Sequence, residues 1–210
     1  MLKEVCVENF TDVAEMIERG ASRIELNDNM AAWGTTPSIG VMKQTVTYCH
    51  EQNIPVITMI RPRGGNFHYS QIEKNIMKAD LEAAIEVGVD GIAIGALTAD
   101  FELDKPFLSD IINHTKKAKI EVTFHRAFDA IPFDKQAEAL AWLARKGFTR
   151  VSVHGGSDDE TIEETLPRLK ELFAWDMNII LMIAGGVTKD NLEALAKELP
   201  FKEAHGTRIV

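Results

Sequence analysis

Two arginines lie close together in the segment I-P-V-I-T-M-I-R-P-R-G-G, which covers Ile54–Gly65. The first half of this segment is short, apolar and rich in β-branched residues, which is typical of a buried parallel strand. An unpaired guanidinium in an apolar layer is costly, so we expect Arg61 and Arg63 where the strand ends. Forked donors beside Pro62 and a flexible glycine pair suit a phosphate or carboxylate group. The alternative is that both arginines tie neighbouring loops together.

A second polar cluster lies in V-T-F-H-R-A-F-D, which covers Val122–Asp129. His125 titrates near neutrality and can transfer a proton or bind a metal ion. Arg126 would add a third guanidinium to the anion site, while Asp129 and Glu25 are candidate general bases or orienting partners. Mutual charge neutralisation among these arginines and carboxylates is an equally good interpretation.

A glycine pair, Gly185 and Gly186, follows the seventh apolar run of the chain, and His205–Thr207 lies in the eighth. Barrel enzymes often hold phosphate with the loops that follow these two strands. Backbone N–H groups there would extend the anion site predicted around the arginines. Glycine pairs at strand ends also serve packing alone. The segment His154–Ser157 could likewise contact an oxyanion or a phosphate, but a turn is the stronger interpretation.

Thiol and imidazole groups are the candidates for binding a soft metal ion. Cu(I) prefers thiolate and thioether ligands, and Cys6, near the end of the first strand, is placed for this role. Cys49 shares a helical face with apolar residues, which indicates an inert buried side chain. The eight methionines are scattered and are interpreted mainly as core residues. His125, His154 and His205 can converge on zinc with a carboxylate, although separate structural roles are the stronger interpretation.

These residues require a framework that brings the ends of many strands together. Short β-rich runs alternate with amphipathic segments along the whole chain, and several runs follow a glycine typical of an αβ turn. The runs are Leu2–Val7, Arg23–Asn27, Ile54–Ile60, Gly91–Gly95, Ile120–His125, Arg150–His154, Asn178–Ala184 and Glu203–Ile209. They predict an α/β fold, a (β/α)8 (TIM) barrel forming a single domain over residues 1–210, with the last helix short or absent. A doubly wound open sheet fits less well, because its phosphate fingerprint is missing after the first strand.

The segments between the runs are predicted to be helices, among them Thr11–Arg19, Gln71–Val87, Lys135–Lys146 and Thr161–Ala174. One apolar face of Gln71–Val87 is predicted to pack on the sheet. The residues of that face are Ile72, Ile76, Ala79 and Ala83. The charged residues at the N-terminal ends of the strands are predicted to form a solvated rim. They are Lys3, Arg23, Asp90, Glu121 and Arg150.

The composition is that of an ordinary globular domain: 210 residues, 45% hydrophobic and 26% charged. A formal net charge of -9 disfavours nucleic acid and anionic membranes as partners. No apolar run reaches membrane-spanning length, and the N-terminus lacks signal-peptide architecture. Two cysteines do not make a disulfide framework. We therefore expect a cytoplasmic protein.

The barrel pattern and these motifs together resemble the CutC family, over the whole chain. The matching segments are Lys3–Asn9 (K-E-V-C-V-E-N), Gly20–Leu26 (G-A-S-R-I-E-L), Gly34–Val41 (G-T-T-P-S-I-G-V), Met59–Ser70 (M-I-R-P-R-G-G-N-F-H-Y-S), Val122–Asp129, Ala184–Thr188 (A-G-G-V-T) and His205–Val210 (H-G-T-R-I-V). The resemblance implies a (β/α)8 barrel, a cytoplasmic copper-homeostasis role with binding or trafficking of Cu(I), and assembly as a homodimer or homotetramer.

The chain departs from the family pattern at two places. Asn27 stands where members often have a cysteine, so Cys6 lacks a second thiol as partner. The seventh strand ends M-I-A-G-G instead of a proline and three glycines. The positions of Glu25, Arg61, Arg63, His125, Arg126 and Asp129 all match.

Three functions are consistent with these observations. The first, implied by the resemblance, is copper homeostasis with Cu(I) as the cofactor or cargo, bound by Cys6 with a methionine or a histidine assisting. The second, from the residues, is an enzyme of unassigned reaction (a lyase, isomerase or hydrolase) acting on a small phosphorylated or carboxylate substrate. A non-catalytic anion sensor is a third. The residues concerned are Cys6 for the metal, Glu25, His125 and Asp129 for catalysis, and Arg61, Arg63, Arg126, Gly185 and Gly186 for the anion.

Overall fold

Eight parallel strands close into a barrel in the computed structural model, which describes all residues from 1 to 210. The strands are β1 (Leu2–Glu8), β2 (Arg23–Asn27), β3 (Val56–Met59), β4 (Gly91–Ile94), β5 (Glu121–Phe124), β6 (Arg150–Val153), β7 (Ile180–Ile183) and β8 (Glu203–Gly206). Each strand pairs with its neighbours in sequence, and β8 pairs with β1. The predicted (β/α)8 barrel is confirmed, and every predicted run contains a strand.

Helices follow seven of the strands and cover the outside of the barrel. They are α1 (Val13–Glu18), α2 (Ile39–Glu51), α3 (Gln71–Val87), α4 (Lys105–Ala118), α5 (Phe133–Lys146), α6 (Ile162–Ala174) and α7 (Leu192–Glu198). Short 3₁₀ segments, Met30–Ala32 and Arg126–Ala130, follow β2 and β5. No helix follows β8, and none of the seven is long and apolar enough to span a membrane.

The start and end of the helices follow from local side-chain chemistry. Ser70 begins α3 and Thr161 begins α6 with capping boxes, in which the hydroxyl accepts a backbone N–H and a glutamate three residues on accepts the cap's own N–H. Gly88 and Gly147 end α3 and α5 in the left-handed conformation, which a residue without Cβ adopts at little cost. These short turns fix where the next strand begins.

The face of α3 that packs on the barrel differs from the prediction. Ile72 is 73% exposed and Ile76 is 46% exposed, whereas the buried residues are Met77, Leu81 and Ala84. The predicted residues and the buried residues recur at the same helical spacing. Helical spacing alone did not distinguish the two faces.

The barrel interior is charged on one side and apolar on the other. Alternate residues of a barrel strand face inward, and Ile57, Met59 and Ala93 form a small apolar group separate from the main core. The prediction of a solvated rim is wrong for Arg23 and Arg150, which are 3% and 2% exposed. The strand register places Glu4 beside Arg23 on β2 and beside His205 on β8.

Arg23 and Arg150 each bridge two carboxylates. Arg23 pairs with Glu4 and, at 2.5 Å, with Glu203, while Arg150 lies 3.0 Å from Glu203 and 2.5 Å from Glu121. Burying these groups is tolerated because every charge has an opposite partner at hydrogen-bonding distance. The same pairing makes the network sensitive to the loss of any one member.

Replacing Arg23 by methionine should lower the free energy of unfolding by about 3–5 kcal/mol, because Glu4 and Glu203 would stay buried without their shared cation. Chemical denaturation measures this change. Arg19→Met is the matched control, since Arg19 pairs with Glu15 on the exposed surface of α1, where such pairs contribute about 0–1 kcal/mol. Equal effects of the two substitutions would contradict a stabilising network inside the barrel.

Candidate functional site

A cavity of about 1010 Å³ opens at the C-terminal ends of the strands, where the end of β1 meets the loops after β2 to β8. Eight of the nine predicted site residues line it. They are Cys6, Glu25, Arg61, His125, Arg126, Asp129, Gly185 and Gly186. Arg63 is the residue that the structure leaves outside the cavity.

The floor of the cavity holds a sulfur-rich group of side chains at the ends of β1 and β2. The Sγ atom of Cys6 lies 3.6 Å from the Sδ atom of Met30, which the 3₁₀ segment after β2 supplies. Asn27 donates from Nδ2 to the same Sγ at 3.2 Å and to the Glu25 carboxylate at 3.0 Å. Asn27 therefore contacts Cys6 directly from the position where a second thiol was expected.

His205 completes this group from β8. One ligand atom each from Cys6, Glu25 and His205 lies within 4.8 Å of the others. The Nδ1 atom of His205 is 2.8 Å from Glu4, and its Nε2 atom is 3.7 Å from Glu25. Glu4 therefore pairs with Nδ1 of His205, whereas Nε2 faces Cys6 and Glu25.

Burial and neighbouring charge shift the pKa values of these groups strongly. Burial alone would lower the pKa of His205, but Glu25 and hydrogen bonds to Cys6 and Glu4 outweigh it and raise that pKa well above 6.5. Burial would raise the pKa of Glu4, yet His205 and Arg23 hold it at about 2. The pair is thus an imidazolium held by a carboxylate.

The Cys6 thiol stays protonated at neutral pH in the free protein. Burial and the neighbouring Glu25 carboxylate raise its pKa to about 11. Burial likewise raises the pKa of Glu25, with a further contribution from Glu4. A metal ion that binds here must displace the thiol proton.

The arginines after β3 are engaged by the chain itself. Arg61 is 4% exposed and donates from Nη1 to the carbonyls of residues 32–34 at 2.8–3.0 Å, and from Nη2 to Gly65 at 2.9 Å. Arg63 donates to Glu73 and to the carbonyls of Asn66 and His68. This arrangement favours the interpretation that both arginines tie neighbouring loops together.

Arg126 lines the cavity and has a carboxylate on each of two sides. Its Nε is 3.1 Å from Asp129 and its Nη1 is 2.7 Å from Asp158. Asp129 also accepts the backbone N–H groups of His154 and Gly155. Burial raises the pKa of Asp129 against the opposing effect of Arg126 and these N–H groups. Asp129 therefore ties the end of β5 to the loop after β6.

His125 is a neutral imidazole with an unused donor. Burial, followed by the charges of Arg61 and Arg126, lowers its pKa to about 3. Its Nδ1 accepts the N–H of Ala127 at 3.0 Å, so the proton resides on Nε2, which is buried without an acceptor. His125 can thus donate a hydrogen bond to a ligand but is unsuited to act as a base.

The three imidazoles considered for zinc are not brought together. His154 is 2% exposed and lies within hydrogen-bonding distance of the carbonyls of Ala184 and Glu160 through its two ring nitrogens. His125 and His205 belong to the separate groups described above. The one cluster of metal-ligand type is Cys6, Glu25 and His205.

Sequence reasoning missed Glu4, which lies beneath the cavity against His205, and the two arginines Arg168 and Arg208, which line the cavity. Glu4 stands two residues before Cys6 and therefore points to the same side of β1, a signal that the alternation of a strand contains. The sequence indicates a methionine or histidine as a partner of Cys6 but does not single out Met30, whose contact with Cys6 depends on the 3₁₀ turn after β2. No signal in the sequence assigns Arg168 to the cavity.

Known proteins resemble this chain in both sequence and structure. The CutC family matches residues 1–210. A CutC family protein of Enterococcus faecalis is 46% identical over 211 residues and covers 100% of both chains. The human copper homeostasis protein cutC homolog is 40% identical, covering 97% of this chain and 72% of the relative. The crystal structure of CutC from Streptococcus agalactiae superposes with a TM-score of 0.95 at 40% identity and covers 100% of both chains.

The motifs that suggested the resemblance therefore lie within a match that spans all eight strands and the cavity above them. The chain belongs to the CutC family.

Proposed function

We propose that this protein binds Cu(I) in copper homeostasis, with Cys6, Met30 and His205 as its ligands. The observation that carries the proposal is the 3.6 Å contact between the thiol of Cys6 and the thioether of Met30, next to an imidazole. Two sulfur donors and one nitrogen donor form a soft set that suits Cu(I). The names of the mouse and human relatives, copper homeostasis protein cutC homolog, support the role.

The surrounding residues suit the chemistry of such a site. Binding of Cu(I) as a thiolate complex releases the proton of Cys6, and the Asn27 amide already donates to the sulfur that would carry the charge. Glu4 accepts from Nδ1 of His205 and leaves Nε2 for a metal once that nitrogen loses its proton. The Glu25 carboxylate offsets part of the metal's charge. Asn27 thus replaces a second thiol with a hydrogen-bond donor to the first.

Cys6→Ser should weaken Cu(I) binding more than about 100-fold, because losing an outer-shell partner alone costs about 10–100-fold. A titration against a competing chromophoric chelator measures the affinity. The affinity of the unmodified protein should also rise with pH, because the thiol, whose pKa is about 11, must lose its proton.

Cys49→Ser provides the matched control, since Cys49 is the other free, buried thiol and lies on α2 outside the cavity. Its substitution should leave the affinity unchanged. Weak binding in the unmodified protein, or equal losses in both variants, would remove the basis for a copper site at Cys6.

We further propose a cytoplasmic location and assembly as a homodimer or homotetramer. A reducing compartment would keep Cys6 free to bind metal. The net charge of -9 opposes association with nucleic acid and anionic membranes. Exposed Ile72 and Ile76 on α3 provide apolar surface for contact between copies.

The cavity favours a second candidate function, an enzyme acting on a small anionic substrate. Its volume of about 1010 Å³ matches the upper range of small-molecule sites and far exceeds the space one metal ion needs. Glu25 and His205, whose pKa values are both raised, lie 3.7 Å apart at its floor. Such a pair can exchange protons with a bound substrate.

The unmodified protein should convert, or exchange protons with, at least one small phosphorylated or carboxylated compound, as followed by NMR in D2O. Glu25→Gln should slow the reaction about 10²–10⁴-fold by removing the acid–base carboxylate. Asp80→Gln serves as a control, because Asp80 also has a raised pKa but lies outside the cavity. Equal rates in the Glu25→Gln variant and the unmodified protein would exclude this role.

A further inference from the structure

We infer that the side of the cavity formed by α6 and the loops after β7 and β8 binds a phosphomonoester group, through the backbone of Gly185–Gly186 and the guanidinium groups of Arg168 and Arg208. The inference rests on the second candidate function, whose substrate it assigns to a chemical class. It does not depend on the copper site.

The charge balance of the cavity is the first reason. The chain as a whole has a formal charge of -9, yet its cavity is lined by four arginines and three carboxylates. The arginines are Arg61, Arg126, Arg168 and Arg208, and the carboxylates are Glu25, Asp129 and Asp158. A positive cavity in an acidic protein concentrates anions where the field lines converge.

The second reason is that two of these four arginines are free to bind an anion. Arg126 pairs with Asp129 and Asp158, and Arg61 donates to loop carbonyls. Arg168 and Arg208 have neither a carboxylate partner nor a side-chain hydrogen bond within the chain. Their donors are therefore available to an anion from solution.

The fold holds the guanidinium group of Arg168 and the backbone of Arg208 in place. The guanidinium of Arg168 stacks on the ring of Phe133, 3.3 Å from its centroid, which holds its plane while leaving the edge donors free. Arg208 is anchored through its backbone, because its carbonyl accepts the N–H of Lys189 at 2.9 Å. That bond holds Arg208 beside the loop that carries Gly185 and Gly186.

The loop itself supplies backbone donors. Gly185 and Gly186 have φ values of 77° and 76°, and neither N–H donates to another group of the chain. A Cβ on Gly185 would lie 2.8 Å from the His154 ring and 3.1 Å from Nη1 of Arg126, so glycine is required for this close approach. Open N–H groups that line the same cavity as unpaired guanidinium groups are suited to holding a phosphate.

The test is isothermal titration with inorganic phosphate at constant ionic strength. The unmodified protein should bind it saturably, and Arg168→Gln and Arg208→Gln should each weaken binding about tenfold, the effect of losing one charge-assisted hydrogen bond. Arg145→Gln is the matched control, because Arg145 is exposed, has no carboxylate partner and lies outside the cavity. It should bind phosphate as the unmodified protein does. The exposed Arg208 keeps the test valid if Arg168→Gln disturbs packing on Phe133.

Absence of saturable binding, or binding that Arg168→Gln and Arg208→Gln weaken no more than Arg145→Gln does, would overturn the inference. Malonate that binds as tightly as phosphate would also overturn it, by showing that the site does not prefer phosphate to carboxylates. Cys6→Ser and Glu25→Gln should retain phosphate binding, so failure of the copper site or of the acid–base pair is distinguishable from failure of this one. Phosphate binding without any turnover would leave the inference standing and remove the enzyme proposal.

Discussion

The buried carboxylate of Glu4 is the group on which both the barrel interior and the site above it depend. One oxygen pairs with Arg23, which also holds Glu203, and the other accepts from Nδ1 of His205. In a low-dielectric interior these contacts form together or not at all, because each unpaired member would carry a large desolvation cost. The same carboxylate thus fixes the pairing of β1 with β2 and β8 and sets which nitrogen of His205 faces the cavity. Glu4 therefore contributes both to the stability of the barrel and to the arrangement of the candidate site.

Above this network the cavity has two chemically different ends. Cys6 and Met30 provide soft donors at the β1–β2 end, whereas the free arginines and the glycine N–H groups lie on α6 and in the loops after β7 and β8. His205, on β8, contributes to the first end. We interpret the replacement of a second thiol by Asn27 as a change in how Cys6 is stabilised, since the amide donates to the sulfur at 3.2 Å. The two ends can be tested independently because they share no residue.

The sequence predicts the barrel well because strand and helix periodicities are local properties. It also places Arg61 and Arg126 correctly at the ends of their strands, but it does not reveal that loop carbonyls surround Arg61. Arg23 was assigned to a solvated rim because position along a strand says nothing about which face a charge occupies. The alternation of Arg23, Glu25 and Asn27 does contain that information. The contact of Met30 with Cys6 depends on the turn after β2 and on packing, which single-residue patterns do not encode.

X-ray absorption spectroscopy at the copper edge tests the central claim most directly, because it reports the ligand atoms themselves. Cu(I)-loaded protein should show two sulfur neighbours and one nitrogen neighbour, and Met30→Leu should remove one of the sulfurs while Cys6 remains bound. A coordination shell without sulfur, or one with a single sulfur that Met30→Leu leaves unchanged, would contradict the assignment of Cys6, Met30 and His205 as the copper site.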